Sequence, residues 1–463
     1  TSLMFDERDH KGVLRAVQSL QEDFGRLGAS APAKNQTSSH RIIIGTLGES
    51  RWIDELADSK KINGEELRGK TEKFIIQHVA DPAEGITSAI VIAGSDKRGT
   101  IYGIYELSKQ MGVSPWYYWA DVPVVKRANL YFKPGVYTSG EPKVRYRGIF
   151  LNDEAPALSG WSRATFGGFN SQFYEKVFEL LLRLKANFLW PAMWGSAFYD
   201  DDPANGILAD EMGIVMSTSH HEPMARAQQE WRRHGNGGAW DYGTNEQGLK
   251  SFWRGGMGRT KNWETVVTLA MRGDGDEPMS EKQNVGLLEK IVKDQRKIIA
   301  EVTGKEIDQT PQVWALYKEV QDYYDKGMRV PDDVTLLFCD DNWGNVRKLP
   351  ALDAKPRKGG YGMYYHFDYV GAPRNSKWLN VSQIQRVWEQ MNLTYRHGVD
   401  RIWVVNVGDL KPMEFPISFF LDMAWDPDRF NAANLFSYTK DWAEAVGLVY
   451  KVQSPHHTRI TRS

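Results

Sequence analysis

The 463-residue chain holds a single cysteine, Cys339, so neither a disulfide within the chain nor a cysteine-based zinc site can form. An excess of basic charge is also missing. There are 58 Lys and Arg against 59 Asp and Glu, a formal net charge of -1, and nothing is left over to neutralise a phosphate backbone, which argues against a nucleic-acid partner. No apolar run approaches the roughly 18 residues that a membrane-spanning helix needs, and no basic amphipathic stretch points to a membrane surface. What the chain does have is aromatic side chains, 12% of all residues with 17 Trp among them. Most large rings belong to cores, but Trp beside polar loops also builds platforms on which sugar rings stack.

At this length two or more domains are expected. Over residues 1–140 short apolar runs alternate with helical stretches: Arg41 to Leu47, Phe74 to Val79, then Ala89 to Ala93 followed by a helix from Gly99. That rhythm predicts an N-terminal α/β domain with a mixed sheet, closed by a Pro/Gly-marked connector from Lys133 to Pro142. From Val144 eight segments each read as a short buried strand ending in polar residues, starting at Tyr146, Ala186, Gly213, Val266, Gln312, Val334, Tyr361 and Arg401. Eight strand-then-helix units in about 300 residues is the size of a closed parallel barrel. The predicted fold class is therefore α/β: a (β/α)8 TIM barrel over 141–450 preceded by the N-terminal α/β domain, with 451–463 as a divergent tail. After the first strand, Phe173, Val177, Leu180, Leu181 and Leu184 recur at helical spacing. The sixth unit has only about 20 residues before the next strand, with Pro350 and Pro356 among them, so its helix must be short or distorted.

A parallel barrel gathers the C-terminal ends of its strands on one face, where polar groups distant in sequence share a pocket. Here those ends carry Asn152, Asp153 and Glu154; Trp194; His220, His221 and Glu222; Arg272, Asp274, Asp276 and Glu277; Tyr317 and Glu319; Asp340, Asp341 and Asn342; Tyr365, Asp368 and Tyr369; and Asn406 and Asp409. Such a rim, dense in carboxylates, amides and rings but poor in cations, suits a sugar, and glycosidic cleavage needs two carboxyl groups astride the bond. A lone Arg272 among acids is what a uronate carboxylate would require. Each feature has a plainer reading. A carboxylate after a strand can be a helix N-cap, one of two adjacent histidines is usually packed, and Asn406 can form a turn.

Three rival readings follow from the residues. A metal held by His220, His221, Glu222, Asp340 and Asp341 is disfavoured, because neighbouring strand residues point apart and no HExxH spacing occurs. The stretch Gly94 to Thr100 mimics a phosphate loop, yet Thr100 stands where the phosphate-binding Lys belongs. A non-catalytic carbohydrate-binding fragment is the third.

The motifs GSDKRGTIYGIYEL from Gly94, PWYYWADVPV from Pro115, YRGIFLNDEAPALSGW from Tyr146, LKANFLWPAMWGSAF from Leu184, TSHHEPMARAQ from Thr218, MRGDGDEPM from Met271, CDDNWGN from Cys339 and NVGDLKPMEFPISFF from Asn406 closely resemble glycoside hydrolase family 115, over about residues 6 to 446. The resemblance implies an extracellular, inverting xylan α-1,2-glucuronidase. It would act on glucuronoxylan or its oligosaccharides and release glucuronic acid or its 4-O-methyl ether without metal or organic cofactor. Sequons at Asn35, Asn380 and Asn392, against roughly two expected by chance, hint at secretion without showing it. By motif position the resemblance implies functional roles for Asp153, Trp194, His220 or His221, Arg272, Asp276, Tyr317, Glu319, Tyr369 and Asn406. Asp276 and Glu319 are expected to form the acid and base pair, Asp276 as the acid raised by Asp274 and Glu277, with Asp153 or Asp341 as substitutes for the base. Arg272, with Lys97 from the N-terminal domain, is expected to hold the uronate; Trp194, Tyr365 and Tyr369 would line the sugar. Family members resemble homodimers held partly by further C-terminal domains, which do not appear in this sequence; residues 451–463 do not resemble the family.

Overall fold

The computed structural model describes residues 2–447 apart from 31, 35–37, 128, 153–154, 235–237, 280–284, 373–374 and 376–378. Asp153, Glu154 and the 451–463 tail thus lie outside the described residues. The chain divides into two compact units. One takes the sequence up to Pro142, Leu182–Lys185 and the chain from Asp428; the other takes Lys143–Leu181 and Ala186–Pro427.

The first unit is built on a six-stranded sheet of β1 (Ser2–Phe5), β2 (Ala33–Lys34), β3 (His40–Thr46), β4 (Phe74–Ala83), β5 (Ile86–Gly94) and β6 (Val136–Tyr137), in the order β2-β1-β3-β5-β4-β6. β1, β2, β3 and β5 run parallel, while β4 is antiparallel to both β5 and β6. The mixed sheet was legible from three of its strands; β6 lies inside the stretch read as a connector, because a two-residue strand leaves no periodicity to detect. Ile43, Ile53, Leu56, Ile75, Val91 and neighbouring side chains form one core of this unit. Its helices include α1 (Lys11–Arg26), α2 (Arg51–Asp58) and α3 (Lys97–Met111), and a further one near the C-terminal end, Leu435–Ala445. At the start of α3 the Asp96 carboxylate accepts the Gly99 N–H at 2.8 Å. That cap fills the place where a phosphate would sit, so the loop from Gly94 serves the helix and not a nucleotide.

The second unit is an eight-stranded parallel sheet: β7 (Tyr146–Phe150), β8 (Phe188–Trp190), β9 (Val215–Met216), β10 (Val267–Thr268), β11 (Gln312–Ala315), β12 (Val334–Cys339), β13 (Tyr361–His366) and β14 (Ile402–Asn406). Each falls within one of the eight predicted segments. Their order is β10-β11-β12-β13-β14-β7-β8-β9, and the ring is completed by a parallel bridge between Met216 and Thr265, with the Val266 N–H on the Met216 carbonyl at 3.1 Å. The interior is filled by residues from around the ring, among them Tyr146, Phe188, Trp190, Val215, Val313, Leu337, Tyr364 and Val404, as a closed parallel barrel demands. Around the sheet run α4 (Ala157–Phe166), α5 (Ser171–Arg183), α6 (Phe198–Asp201), α7 (Ala204–Met212), α8 (Gln228–His234), α9 (Glu246–Thr260), α10 (Val285–Thr303), α11 (Glu319–Asp325), α12 (Ile384–Arg396) and α13 (Glu414–Trp425). The stripe of Phe173, Val177, Leu180 and Leu181 is the buried face of α5. Between β12 and β13 there is no helix at all, only turns and irregular chain, which suits the two prolines there. None of the helices among the described residues is long and apolar enough to cross a membrane.

Candidate active site

The loops after β10 and β11 meet at one guanidinium. Arg272, in the loop after β10, is almost fully buried. Its Nε donates to Glu319 Oε1 at 2.8 Å and its Nη2 to Glu319 Oε2 at 2.7 Å; its Nη1 donates to the Asp276 carbonyl at 2.5 Å and contacts the Asp276 carboxylate. The two predicted catalytic carboxylates therefore flank a single cation from different loops. Glu319 is the first residue of α11, not a strand residue, since β11 ends at Ala315.

The second oxygen-rich contact is with the loop after β9. His220 Nε2 lies 3.1 Å and His221 Nδ1 3.5 Å from Asp276 Oδ1. The expectation that adjacent side chains diverge holds only within a strand, and β9 stops at Met216, so the chain turns at 220–221 and brings both rings to the same carboxylate. Burial holds both imidazoles well below the usual histidine range, with the Arg272 charge acting the same way, so both are neutral hydrogen-bonding groups at neutral pH. One ring atom of each and the Asp276 carboxylate oxygen fall within 4.8 Å of one another, close enough for one cation. The same oxygen already faces the Arg272 guanidinium, which a metal would have to displace.

Aromatic rings wall this cluster. The Tyr317 ring is 4.3 Å from His220 between centroids and lies under both Arg272 and Lys318, at 5.7 and 5.2 Å. Burial pushes its hydroxyl far above the usual tyrosine range, so it stays protonated. His366 at the end of β13 is stacked on Tyr317 and edge-on to Tyr369, and its Nδ1 pairs with the buried Asp340 at 2.6 Å. Trp194 is 51% exposed, a large ring open to solvent at the barrel mouth, tethered by its Nε1–H to Asn152 Oδ1 at 2.9 Å.

Strain marks the same place. Trp194, Asp276, Lys318 and Asn342 all have positive φ (51°, 65°, 49° and 72°), one in each of the loops after β8, β10, β11 and β12. Left-handed backbone at non-glycine residues costs on the order of 1–3 kcal/mol each and gathers where function over-determines geometry.

Other predicted residues are placed differently. Asp274, expected to act on Asp276, turns instead to Gln228 Nε2 at 2.7 Å and Arg232 at 2.8 Å. Asn406 uses both ends of its amide on the scaffold, donating to the Tyr364 hydroxyl at 3.2 Å and accepting the Gly408 N–H at 3.0 Å. Tyr364 fills the barrel, so its neighbour Tyr365 faces the other way and donates to the Gly344 carbonyl at 3.0 Å. Asp341 accepts the Trp343 and Asn345 N–H groups, each at 3.0 Å, as a turn-former does. Tyr369 lies beside His366 and Trp343. Lys97 belongs to the first unit as the first residue of α3. Sequence reasoning missed His366 and Lys318. Nothing in the strand pattern singles out the first; the second, between Tyr317 and Glu319, would point away from both in a regular strand, an alternation that its left-handed backbone cancels.

A comparison with curated proteins finds no match. Among solved structures, the chain is similar to one described as a novel family GH115 4-O-methyl-α-glucuronidase, BtGH115A, with specificity for decorated arabinogalactans: 35% identity and a TM-score of 0.88, covering 96% of this chain and 59% of that one. The chain thus spans about 59% of the length of that relative. It also resembles in fold a GH20 β-N-acetylhexosaminidase from Streptomyces coelicolor A3(2), at 11% identity and a TM-score of 0.54 over 100% of this chain and 94% of that one. A sequence model for glycosyl hydrolase family 115 matches residues 139–449, and with the motif matches and barrel described above this chain belongs to glycosyl hydrolase family 115.

Proposed function

We propose that the chain carries the catalytic barrel of an extracellular, inverting glycosidase that releases α-1,2-linked glucuronic acid, or its 4-O-methyl ether, from xylose units of glucuronoxylan. The observation that carries this reading is the pair Asp276 and Glu319 held on one buried Arg272 at the barrel mouth. In an inverting reaction one carboxyl group protonates the leaving oxygen while the other activates water on the opposite face of the sugar. Asp276 is assigned as the acid. It faces two neutral imidazoles, His220 and His221, whose rings can relay a proton to it, taking one from water at one nitrogen while releasing one from the other. Glu319 is the base, its two oxygens fixed by the Arg272 fork with a second lone pair on each left to take the proton of an attacking water. Trp194 and Tyr369 supply ring faces for the polysaccharide and its side group.

The neighbour with specificity for decorated arabinogalactans makes galactan the rival backbone. Incubation with glucuronoxylan and, separately, with glucuronidated arabinogalactan, with assay of released uronic acid, decides between them. A β-configured first product confirms inversion. Release from neither polymer defeats the enzymatic reading and favours a carbohydrate-binding role.

A further inference from the structure

The site must recognise an anion, yet its most buried cation is already taken. Arg272 donates from Nε, Nη1 and Nη2 to Glu319 and Asp276, leaving no edge for a substrate carboxylate unless one of the two acids lets go. Burial keeps His220 and His221 neutral, so neither supplies charge. Lys318 is different. It stands between Tyr317 and Glu319, half-buried, with its ammonium 5.2 Å above the centre of the same Tyr317 ring that Arg272 covers at 5.7 Å. Among the described residues no carboxylate lies within ion-pair distance of it. Its backbone is left-handed, φ 49° and ψ -123°, which turns a residue that would otherwise alternate away from the barrel out of line with its neighbours. Glu319 and Glu277 act on it only through space, without a direct ion pair, so a half-buried ammonium over a ring face, held by a strained backbone, keeps its donors for an incoming anion.

We propose that Lys318 binds the carboxylate of the uronic acid and so determines the preference of this enzyme for a uronoside over the corresponding neutral glycoside. This inference rests on the uronidase reading above. Burial, first, and the neighbouring Arg272 charge lower the proton affinity of Lys318 against the opposing pull of Glu319 and Glu277, as expected of a cation kept out of full solvation until an anion arrives.

The test compares wild type with Lys318→Met and Lys318→Arg on an α-glucuronide and on the α-glucoside in which the carboxylate is replaced by a hydroxymethyl group. In Lys318→Met, kcat/KM for the glucuronide is expected to fall about 10- to 100-fold, the loss of one hydrogen bond to a charged group, with the glucoside unchanged. Lys318→Arg is expected to recover part of the loss. A merely structural role would lower both substrates together, and an unchanged ratio between them in Lys318→Met overturns the proposal. Calorimetric binding of free glucuronate separates the two readings. If wild type releases no uronic acid, the enzymatic reading fails by itself. Glucuronate affinity equal in wild type and Lys318→Met then overturns the role of Lys318, and a tenfold weaker affinity in the variant upholds it. Lys318→Gln, closer in shape, repeats the comparison should Lys318→Met not fold.

Discussion

Glu319 meets Arg272 edge to edge, Nε to Oε1 at 2.8 Å and Nη2 to Oε2 at 2.7 Å, so the orientation of the carboxylate is fixed by a planar fork and not by one rotatable contact. Replacing Glu319 by Gln keeps the shape but turns one acceptor into an NH2 group that faces a guanidinium N–H. If Glu319 activates the water, kcat falls by about 10²–10⁴-fold while KM moves little, because the loss is confined to the transition state. Steady-state kinetics of uronic acid release give the answer. Normal turnover removes Glu319 from the mechanism.

Glu222 lies behind the histidine pair. It accepts the Gln228 N–H at 3.0 Å, and burial pushes its carboxyl from the ordinary 4.5 up to about 8. Between those two values the folded chain keeps a proton that the unfolded chain has lost. The neutral acid therefore stabilises the fold in full below about 4.5, progressively less as pH rises, and not at all beyond about 8. Wild type should lose on the order of a few kcal/mol across that interval from this group alone. Glu222→Gln, neutral throughout, should flatten that slope, so that Tm of the variant overtakes wild type at alkaline pH. Parallel Tm curves over pH 5 to about 9 would show that Glu222 does not carry the effect.

How much of this was legible beforehand differs by level. All eight barrel strands could be read because buried parallel strands are mostly apolar runs, VTLLFC and IWVV for example, that end abruptly in polar residues. The rim residues followed from the chirality and closure of the barrel. Side-chain direction did not, because the strands end early: β10 stops at Thr268 and β11 at Ala315, and beyond them Asp276 and Lys318 adopt left-handed backbone that no alternation rule anticipates. Spacing of two in a regular strand would put Arg272, Asp274 and Asp276 on one side, yet Asp274 turns to Gln228 and Arg232 while Asp276 turns to the histidines. The Asp340–His366 pair was hidden for another reason: its members come from different strands, and a single sequence carries no trace of such pairing.

Trp194 combines a solvent-open indole with a strained backbone. Truncation to Ala removes little buried surface, so stability should change by about 0.5 kcal/mol or less. If the ring is a platform for polysaccharide, KM for a polymeric glucuronide rises by tenfold or so while that for a small aryl glucuronide stays near wild type. Equal changes on both substrates would place the indole against the uronic acid itself.

Gly148 tests the barrel as a whole. A Cβ there would fall 1.7 Å from the Phe188 carbonyl oxygen and 2.5 Å from its carbon, both backbone atoms of the adjacent strand. No rotamer change can relieve that contact. β7 and β8 would have to separate, breaking the pairing of Gly148 with Phe188 and of Phe150 with Trp190. Trp190 is fully buried and packs edge-on against Phe150 and Tyr364, with His220 beyond it, so separation loosens the interior directly beside His220. Gly148→Ala should therefore cost several kcal/mol, comparable to a large core truncation, although it adds only one methyl group. Thermal unfolding measures the loss. Activity should fall with it because His220 shares the disturbed wall, and a Gly148→Ala protein with wild-type Tm would show that β7 and β8 accommodate the methyl group without separating.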